Sequence, residues 1–266
     1  MRLYDAHNHL QDDRFGGRAA ELLSACDREG VARMVVNGVC AVDWPPVLEL
    51  ARRHPQVLPS FGLHPWYVGE RTSDWQQQLA HFLDQVPSAV GEIGLDRWKP
   101  GLAYAGQEEV FLWQFRLAVE RDRPVTLHCL QAWGRLHDLL RQLPRPRCGF
   151  LLHSYGGPPE MVPAFAQLGA YFSFPGYYAQ ARKARQRATF KHVPPDRLLI
   201  ETDAPDQPLP EALNAHSLRD AVTGQALNHP ANLGAVYRFA AELLGEPMES
   251  LAARVEENFQ RLFGPG

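Results

Sequence analysis

The chain alternates short runs of apolar and β-branched residues with longer amphipathic stretches, and the alternation repeats about eight times. The apolar runs have the length of buried strands, and the amphipathic stretches have the length and period of helices. The predicted strands are 3–9, 33–38, 57–63, 89–93, 124–128, 149–153, 170–174 and 197–201. The predicted helices are 18–29, 44–54, 75–85, 106–121, 135–142, 159–168, 179–191, 230–244 and 247–263.

Strands that alternate with helices through short links indicate a parallel sheet. Eight such units predict that the sheet closes into a distorted TIM (β/α)₈ barrel, and a doubly wound open sheet is the alternative. The length of 266 residues is close to the roughly 250 that are typical of one such barrel. We therefore expect a single barrel domain over residues 1–266.

Charge and cysteine content narrow the function classes. The net charge of −3 gives no general attraction to nucleic acid or to anionic membranes, so phosphate binding would need a local basic patch. The four cysteines form no C-x-x-C pair, and the chain has no apolar run near 18 residues and no signal-peptide pattern. These features predict a cytoplasmic protein with reduced thiols and no membrane contact, either a monomer or a weak homo-oligomer.

Residues with metal-ligand chemistry end or follow six of the predicted strands. They are His7, His9, His64, Glu92, His128, His153 and Asp203. In a parallel barrel all these strand ends lie on one face, where the active sites of such barrels are built. Histidine and carboxylate side chains are the usual ligands of zinc, manganese and related ions. His7 and His9 are two residues apart on a strand, so both can point to the same ion.

The number of these residues indicates two ions. Four histidines and two carboxylates, without His64, exceed the three protein ligands of a typical mononuclear catalytic zinc. A carboxylate can bridge ions about 3.5–4 Å apart, whereas some related barrels use a carbamylated lysine as the bridge. None of the three lysines, Lys99, Lys183 and Lys191, ends a predicted strand. We therefore predict Glu92 as the bridge between two divalent ions, which could be zinc, manganese, magnesium or iron.

Eight short segments carry a family resemblance. They are DAHNHL at 5–10, GLHP at 62–65, GEIGLD at 91–96, PVTLH at 124–128, LHS at 152–154, ETDAP at 201–205, NHPANL at 228–233 and NF at 258–259. In order and spacing they resemble the TatD family of metal-dependent deoxyribonucleases, which belongs to the amidohydrolase-like barrels. The resemblance implies a nuclease that acts on DNA ends.

The resemblance also implies roles for individual residues. A first metal would be held by His7, His9, Glu92 and Asp203, and a second by Glu92, His128 and His153. Asp203 would be both a ligand and the general base, so Asp203 and Glu92 are the predicted catalytic residues.

The chain departs from the family pattern at positions that face substrate. Leu130 stands where the family has arginine, and Ser154-Tyr155-Gly156-Gly157 replaces a Cys-Phe-x-Gly segment. The loop 203–208 also differs from the commoner Pro-Tyr version. The metal ligands are therefore kept, whereas the substrate contacts vary.

Four residues are predicted to contact substrate, namely His64, Arg182, Arg185 and Tyr155. His64 could hydrogen-bond a phosphate oxygen, or it could be a packed loop histidine. Arg182 and Arg185 belong to a basic stretch after the seventh strand, where barrels often bind phosphate, although charge runs are commonly solvated helix faces. Tyr155 and other loop aromatics could stack on bases or pack the loops.

Three alternatives to a DNA-cleaving phosphodiesterase stay open. A metal-activated water attacks carbonyl groups as well, so a metal-dependent esterase, lactonase or amidohydrolase that acts on a small molecule is possible. A phosphoesterase of the polymerase-and-histidinol-phosphatase type also begins with H-x-H, but Ala204 and Pro205 replace its usual Asp-x-His ending. The non-enzymatic alternative is a metal-binding module for nucleic acid.

Overall fold

The computed structural model describes residues 1–264. Within them the main sheet has eight strands, in chain order β1 Leu3–Asn8, β2 Val31–Gly38, β3 Val57–Phe61, β4 Ala89–Asp96, β5 Val125–Leu130, β6 Phe150–Leu152, β7 Ala170–Pro175 and β8 Leu198–Glu201. The α-helices are α1 Ala19–Arg28, α2 Trp44–Arg53, α3 Trp75–Gln85, α4 Tyr104–Glu120, α5 Trp133–Gln142, α6 Val162–Gln167, α7 Ala184–Thr189, α8 Leu233–Leu244 and α9 Met248–Phe263. A small antiparallel pair, β9 Leu218–Arg219 and β10 Ala226–Leu227, lies in the long connection after β8.

The eight strands pair in sequence order, and every neighbouring pair is parallel. The predicted barrel is therefore confirmed, and it is nearly closed. The gap between β1 and β8 is bridged at the mouth, where Asp203 N donates to His7 O at 2.9 Å and His9 N donates to Ala204 O at 2.7 Å. These two bonds hold the chain after β8 against the end of β1.

The seam between β1 and β8 explains the buried position of Tyr237 on α8. A strand without a full ladder partner leaves buried backbone groups that need another partner. The Tyr237 hydroxyl accepts from Tyr4 N at 3.1 Å and donates to Tyr4 O at 2.9 Å, so one side chain satisfies both groups. Asn258 on α9 does the same for β8 at this end of the seam, because its amide donates to Leu198 O at 2.8 Å.

The predicted basic helix 179–191 is the element that differs most. The structure has 3₁₀ turns at Gly176–Ala179, Ala181–Lys183 and Phe190–His192 around the short helix α7. Arg187 provides the physical reason, because its guanidinium donates to Tyr178 O at 2.7 Å and to Gln180 O at 2.6 Å. Those carbonyls therefore bond to a side chain instead of accepting from a continuous helix.

Apolar side chains from all eight strands are buried, and buried polar side chains gather at the carboxyl ends of the strands. The barrel thus has a packed interior and a polar mouth, as expected for the fold. Within residues 1–264, no helix combines the length and the apolar character that a membrane crossing requires.

Candidate metal centre

The first donor group is formed by His7, His9, Glu92 and Asp203, which come from the end of β1, the middle of β4 and the loop after β8. The Nε2 atoms of His7 and His9 are 3.2 Å apart, and each lies 3.4 Å from Glu92 Oε2. Asp203 Oδ1 lies 3.6 Å from His7 Nε2 and 3.5 Å from His9 Nε2. Four ligand-type atoms therefore face one another at the mouth.

These separations fit the coordination sphere of a divalent ion. An ion with tetrahedral bonds of about 2.1 Å keeps its ligand atoms about 3.4 Å apart. The five separations within the first donor group, between 3.2 and 3.6 Å, match the edges of such a polyhedron. The group could therefore hold an ion with little rearrangement.

The second donor group consists of Glu92, His128 and His153. Glu92 Oε1 lies 2.9 Å from His128 Nδ1 and 2.8 Å from His153 Nε2, and these two nitrogens are 3.4 Å apart. Glu92 thus directs one oxygen toward each group. The stacked rings of His7 and His153, with centroids 4.0 Å apart, lie where the groups meet.

Asp96 orients His128. It lies at the end of β4, four residues after Glu92, and its Oδ2 accepts from His128 Nε2 at 3.0 Å and from Trp66 Nε1 at 2.7 Å. Its other oxygen accepts from the backbone of Trp98 at 2.7 Å and of Lys99 at 2.9 Å. A histidine that donates one ring nitrogen to a carboxylate presents the other as a well-oriented metal ligand.

Glu201 has the corresponding place behind His153. It is fully buried at the end of β8, and its two oxygens accept from the hydroxyls of Ser154 and Ser173. His153 Nδ1 faces Glu201 Oε1 at 3.8 Å and has no closer hydrogen-bond partner. Both histidines of the second donor group therefore have a carboxylate on the side away from Glu92.

Asn37 on β2 orients the two histidines of the first donor group. Nδ1 of His9 donates to Asn37 O at 2.8 Å, which leaves Nε2 of the neutral ring free to bind a metal. Nδ1 of His7 lies 3.1 Å from the Asn37 side-chain amide, whose Oδ1 has no partner. The Asn37 amide nitrogen also donates to Val35 O at 3.3 Å, so its orientation against the His7 ring is fixed by the backbone of β2.

His64 is close to the second donor group, but its hydrogen bonding points to a different role. Its Nδ1 accepts from Trp66 N at 3.2 Å, so the neutral ring carries its proton on Nε2. That nitrogen lies 3.4 Å from Glu92 Oε1. Burial lowers the pKa of His64 to about 4, which keeps the ring neutral at pH 7. His64 is therefore built as a donor and not as a ligand, although its distances alone would allow ligation.

Two contacts hold Asp203 in place, and the first works through its backbone. Asp5 on β1 accepts from Thr202 N at 2.9 Å and from Thr202 Oγ1 at 2.6 Å, which ties the start of this loop to β1. Gln207 acts on the side chain, because its Nε2 donates to Asp203 Oδ2 at 2.5 Å and to Ser154 Oγ at 2.7 Å. Oδ1 of Asp203 consequently faces the histidines, and Oδ2 is held by an amide.

The electrostatics of the centre favour a bound cation. Burial raises the pKa of Glu92, but the surrounding histidines, His153 foremost, bring it well below its usual value. Burial lowers the pKa of His9, whereas Asp203 and Glu92 raise it to about 9. The pKa of His153 is likewise raised well above its usual value by Glu92, against the effect of burial. The carboxylates thus attract positive charge to the ring nitrogens, and a metal ion can replace those protons.

The predicted substrate residues have different positions. Tyr155 is fully buried, its ring packs against Trp133 and Phe172, and its hydroxyl donates to Pro158 O at 2.9 Å. Tyr155 is therefore a core residue of this structure, and this position argues against the predicted substrate contact.

The two arginines predicted to contact substrate also differ. Arg182 donates to Tyr177 Oη at 2.6 Å and lies over its ring, so its guanidinium already has a partner. Arg185 is exposed and lines a cavity at the mouth. Arg185 therefore presents its guanidinium to the cavity, whereas the guanidinium of Arg182 is engaged by Tyr177.

Sequence reasoning missed the residues that orient the ligands, chiefly Asp96, Glu201 and Gln207. Strand periodicity could have identified Asp96, because it is four residues after Glu92 on β4 and even spacing places side chains on one face of a strand. Glu201 is the last residue of β8, and its position at a strand end is the corresponding signal. Gln207 lies in an irregular loop and has no such signal.

Comparison with known proteins identifies the family of this chain. A family model described as TatD related DNase matches residues 4–264. The uncharacterized metal-dependent hydrolase YjjV of Escherichia coli K12 is 29% identical over 265 residues, which cover 98% of each chain. The 3′-5′ ssDNA/RNA exonuclease TatD of Escherichia fergusonii is 28% identical over 268 residues, 98% of this chain and 99% of the relative. The crystal structure of YjjV from Escherichia coli K12 matches with a TM-score of 0.89 at 29% identity, over 100% of this chain and 99% of that one.

Proposed function

Because the chain belongs to the family of TatD-related DNases and is a metal-dependent hydrolase of that type, we propose that it cleaves phosphodiester bonds at the ends of single-stranded DNA. The observation that carries the proposal is the position of Glu92. One carboxylate faces two donor groups, with one oxygen toward each, and this is the arrangement that a bridging ligand of two ions requires.

We assign two divalent ions to the centre. His7, His9, Glu92 and Asp203 would hold the first, and Glu92, His128 and His153 the second. When bound, such a pair supplies a water acidified toward neutral pH and a counter-charge for phosphoryl oxygens. The donor set suits zinc, manganese and iron, and magnesium would prefer more oxygen ligands.

The chain's own residues would carry the remaining tasks. Asp203 Oδ2 has a second lone-pair site beside the one that Gln207 occupies, so it can accept the proton of the attacking water. His64 presents an N–H toward the centre and can donate to a phosphoryl oxygen as charge develops there. Asp96 and Glu201 keep the histidines of the second donor group in position.

A substrate panel tests the proposal. The Mn²⁺-loaded protein is assayed on end-labelled single-stranded DNA, on double-stranded DNA and on aryl ester, lactone and amide substrates. We expect stepwise shortening of the single strand, and we expect Glu92→Gln to reduce the rate by at least about a hundredfold, since metal stabilisation contributes several kcal/mol. The exposed Glu109→Gln variant is the matched control and should retain full activity.

Three results would contradict the proposal. Cleavage of esters or amides without cleavage of DNA would identify a small-molecule hydrolase. DNA binding without turnover of any substrate would favour a binding module. Unchanged activity in Glu92→Gln would exclude Glu92 as the bridge.

A further inference from the structure

A cavity of about 280 Å³ opens at the rim of the barrel mouth, beside the second donor group. Its walls include Leu130 from the end of β5, Gly156 and Gly157 from the loop after β6, and Arg185 from α7. Leu130 is two residues beyond His128 on the same face of β5, so it lies about 7 Å farther out along the strand. The cavity therefore lies next to the second donor group.

We propose that this cavity binds one nucleoside of a single-stranded nucleic acid, adjacent to the phosphodiester that is cleaved. The inference rests on the proposed function, and it assigns a place to one nucleotide of the nucleic-acid substrate. Pockets for drug-sized ligands span about 300–1,000 Å³, and the cavity is just below this range. It can therefore take a single base with its sugar but not a base pair.

The cavity offers polar groups that have no partner in the protein. Within residues 1–264 the side chains of Gln131, Gln186 and Arg185 make no hydrogen bond to another residue, although all three line the cavity. An amide side chain presents both donors and an acceptor, which is what the edge of an unpaired base requires. Two free amides that line the same cavity thus suit a base better than an acyl chain.

Trp133 supplies an aromatic surface in the same cavity. Its ring packs edge-on against Tyr155, with centroids 4.6 Å apart, and it also lines the cavity. Gly157 makes this packing possible, because a Cβ there would lie 2.9 Å from Trp133 Cδ2 and 2.7 Å from the Tyr155 ring. A ring held by buried neighbours is a rigid surface on which any base can stack.

Arg185 provides the positive charge for the adjoining phosphate. The protein as a whole carries a net charge of −3, so a strand must be attracted locally. Of the three arginines in this stretch, Arg182 is bonded to Tyr177 and Arg187 caps backbone carbonyls, whereas Arg185 faces the cavity. A free guanidinium is suited to bind phosphate through paired hydrogen bonds.

The test compares Arg185→Ala with Arg182→Ala, which removes the same charge three residues away. Steady-state rates are measured with the Mn²⁺-loaded protein on an eight-nucleotide oligothymidylate. Arg185→Ala should raise KM about tenfold and leave kcat within about twofold, because one charge-assisted hydrogen bond is lost on binding. Arg182→Ala should change KM by less than about threefold.

An abasic scan then tests the contact with the base. One nucleotide at a time is replaced by an abasic unit, and we expect a single position near the cleaved end to raise KM for the wild-type protein. The double variant Gln131→Ala/Gln186→Ala should raise KM for the intact oligonucleotide and be insensitive to that position. Equal effects of the two arginine variants, or an abasic scan without a preferred position, would overturn the inference.

This design separates the inference from the proposed function. Cleavage of DNA with a flat abasic scan leaves the nuclease assignment intact and removes the nucleoside site. If the wild-type protein cleaves no DNA, fluorescence anisotropy with the labelled oligonucleotide replaces KM by Kd, and the same variant pattern supports or refutes the cavity as a binding site.

Discussion

Replacing Asp96 by asparagine should weaken one metal site and spare the other. Asparagine can keep the two backbone hydrogen bonds that Asp96 Oδ1 accepts from Trp98 and Lys99. Its amide nitrogen would then face the N–H groups of Trp66 and His128, where the carboxylate now accepts at 2.7 and 3.0 Å. Hydrogen-bond donors would then face each other, and His128 would lose the acceptor that fixes its ring.

The expected magnitude follows from the kind of bond that is lost. Removing a carboxylate behind a metal-binding histidine costs about 10- to 100-fold in metal affinity, or about 1.4–2.7 kcal/mol. Asp96 contacts only the second donor group, through His128. The affinity for the ion at the first donor group should therefore change by less than about threefold.

Isothermal titration of the metal-stripped protein with Mn²⁺ measures both affinities. We expect two binding steps in the wild type. In Asp96→Asn the metal affinity of one step should fall, and that of the other should stay unchanged. Asp84→Asn, which removes an exposed carboxylate paired with Arg121, is the control and should match the wild type. Equal weakening of both steps, or no weakening, would refute the role of Asp96 as the orienting group of one site.

Three further results are expected. Gln207→Ala should lower kcat about tenfold with little change in KM, because Asp203 Oδ2 loses its hydrogen bond at 2.5 Å; an unchanged kcat in steady-state assays would contradict this. Metal at about 100 times its Kd should stabilise the native protein by about 2.7 kcal/mol, so chelation should lower the thermal midpoint by about 5–10 °C in calorimetry. His229 has a pKa lowered from 6.5 to about 4, chiefly by burial, so its contribution to stability should be present above pH 6.5 and be lost as the pH falls to 4. Denaturant titrations should show a shallower acid loss in His229→Asn, which keeps an acceptor for Ala231 N without a titrating ring.

Much of the barrel is predictable from the chain because most strands are buried apolar runs and most helices are amphipathic. Where the predicted bounds of an element differ from the structure, the cause is local. β4 continues to Asp96, three residues beyond its predicted end, because Gly94 and Asp96 interrupt the apolar pattern although both lie on the strand. The segment 179–191 has helical composition, but the contacts of Arg187 with backbone carbonyls divide it into turns.

The grouping of the predicted ligand residues at the mouth could be foreseen because the topology of a parallel barrel brings the carboxyl-terminal parts of its strands together on one face. Orienting contacts depend on which side chain lies behind which ring, and only coordinates reveal that His153 faces Glu201. The sequence also does not show the direction of the Tyr155 side chain, because an aromatic residue in a loop can stack on a ligand or pack inward. Here it packs against Trp133 and Phe172.

The central claim is that Glu92 joins two divalent ions in one centre. Electron paramagnetic resonance of the protein titrated with Mn²⁺ tests it most directly, because two ions bridged by a carboxylate about 3.5–4 Å apart are magnetically coupled. We predict two Mn²⁺ per chain with a coupled spectrum, and a spectrum of uncoupled ions in Glu92→Gln. A single bound ion, or two ions without coupling in the wild-type protein, would contradict the account.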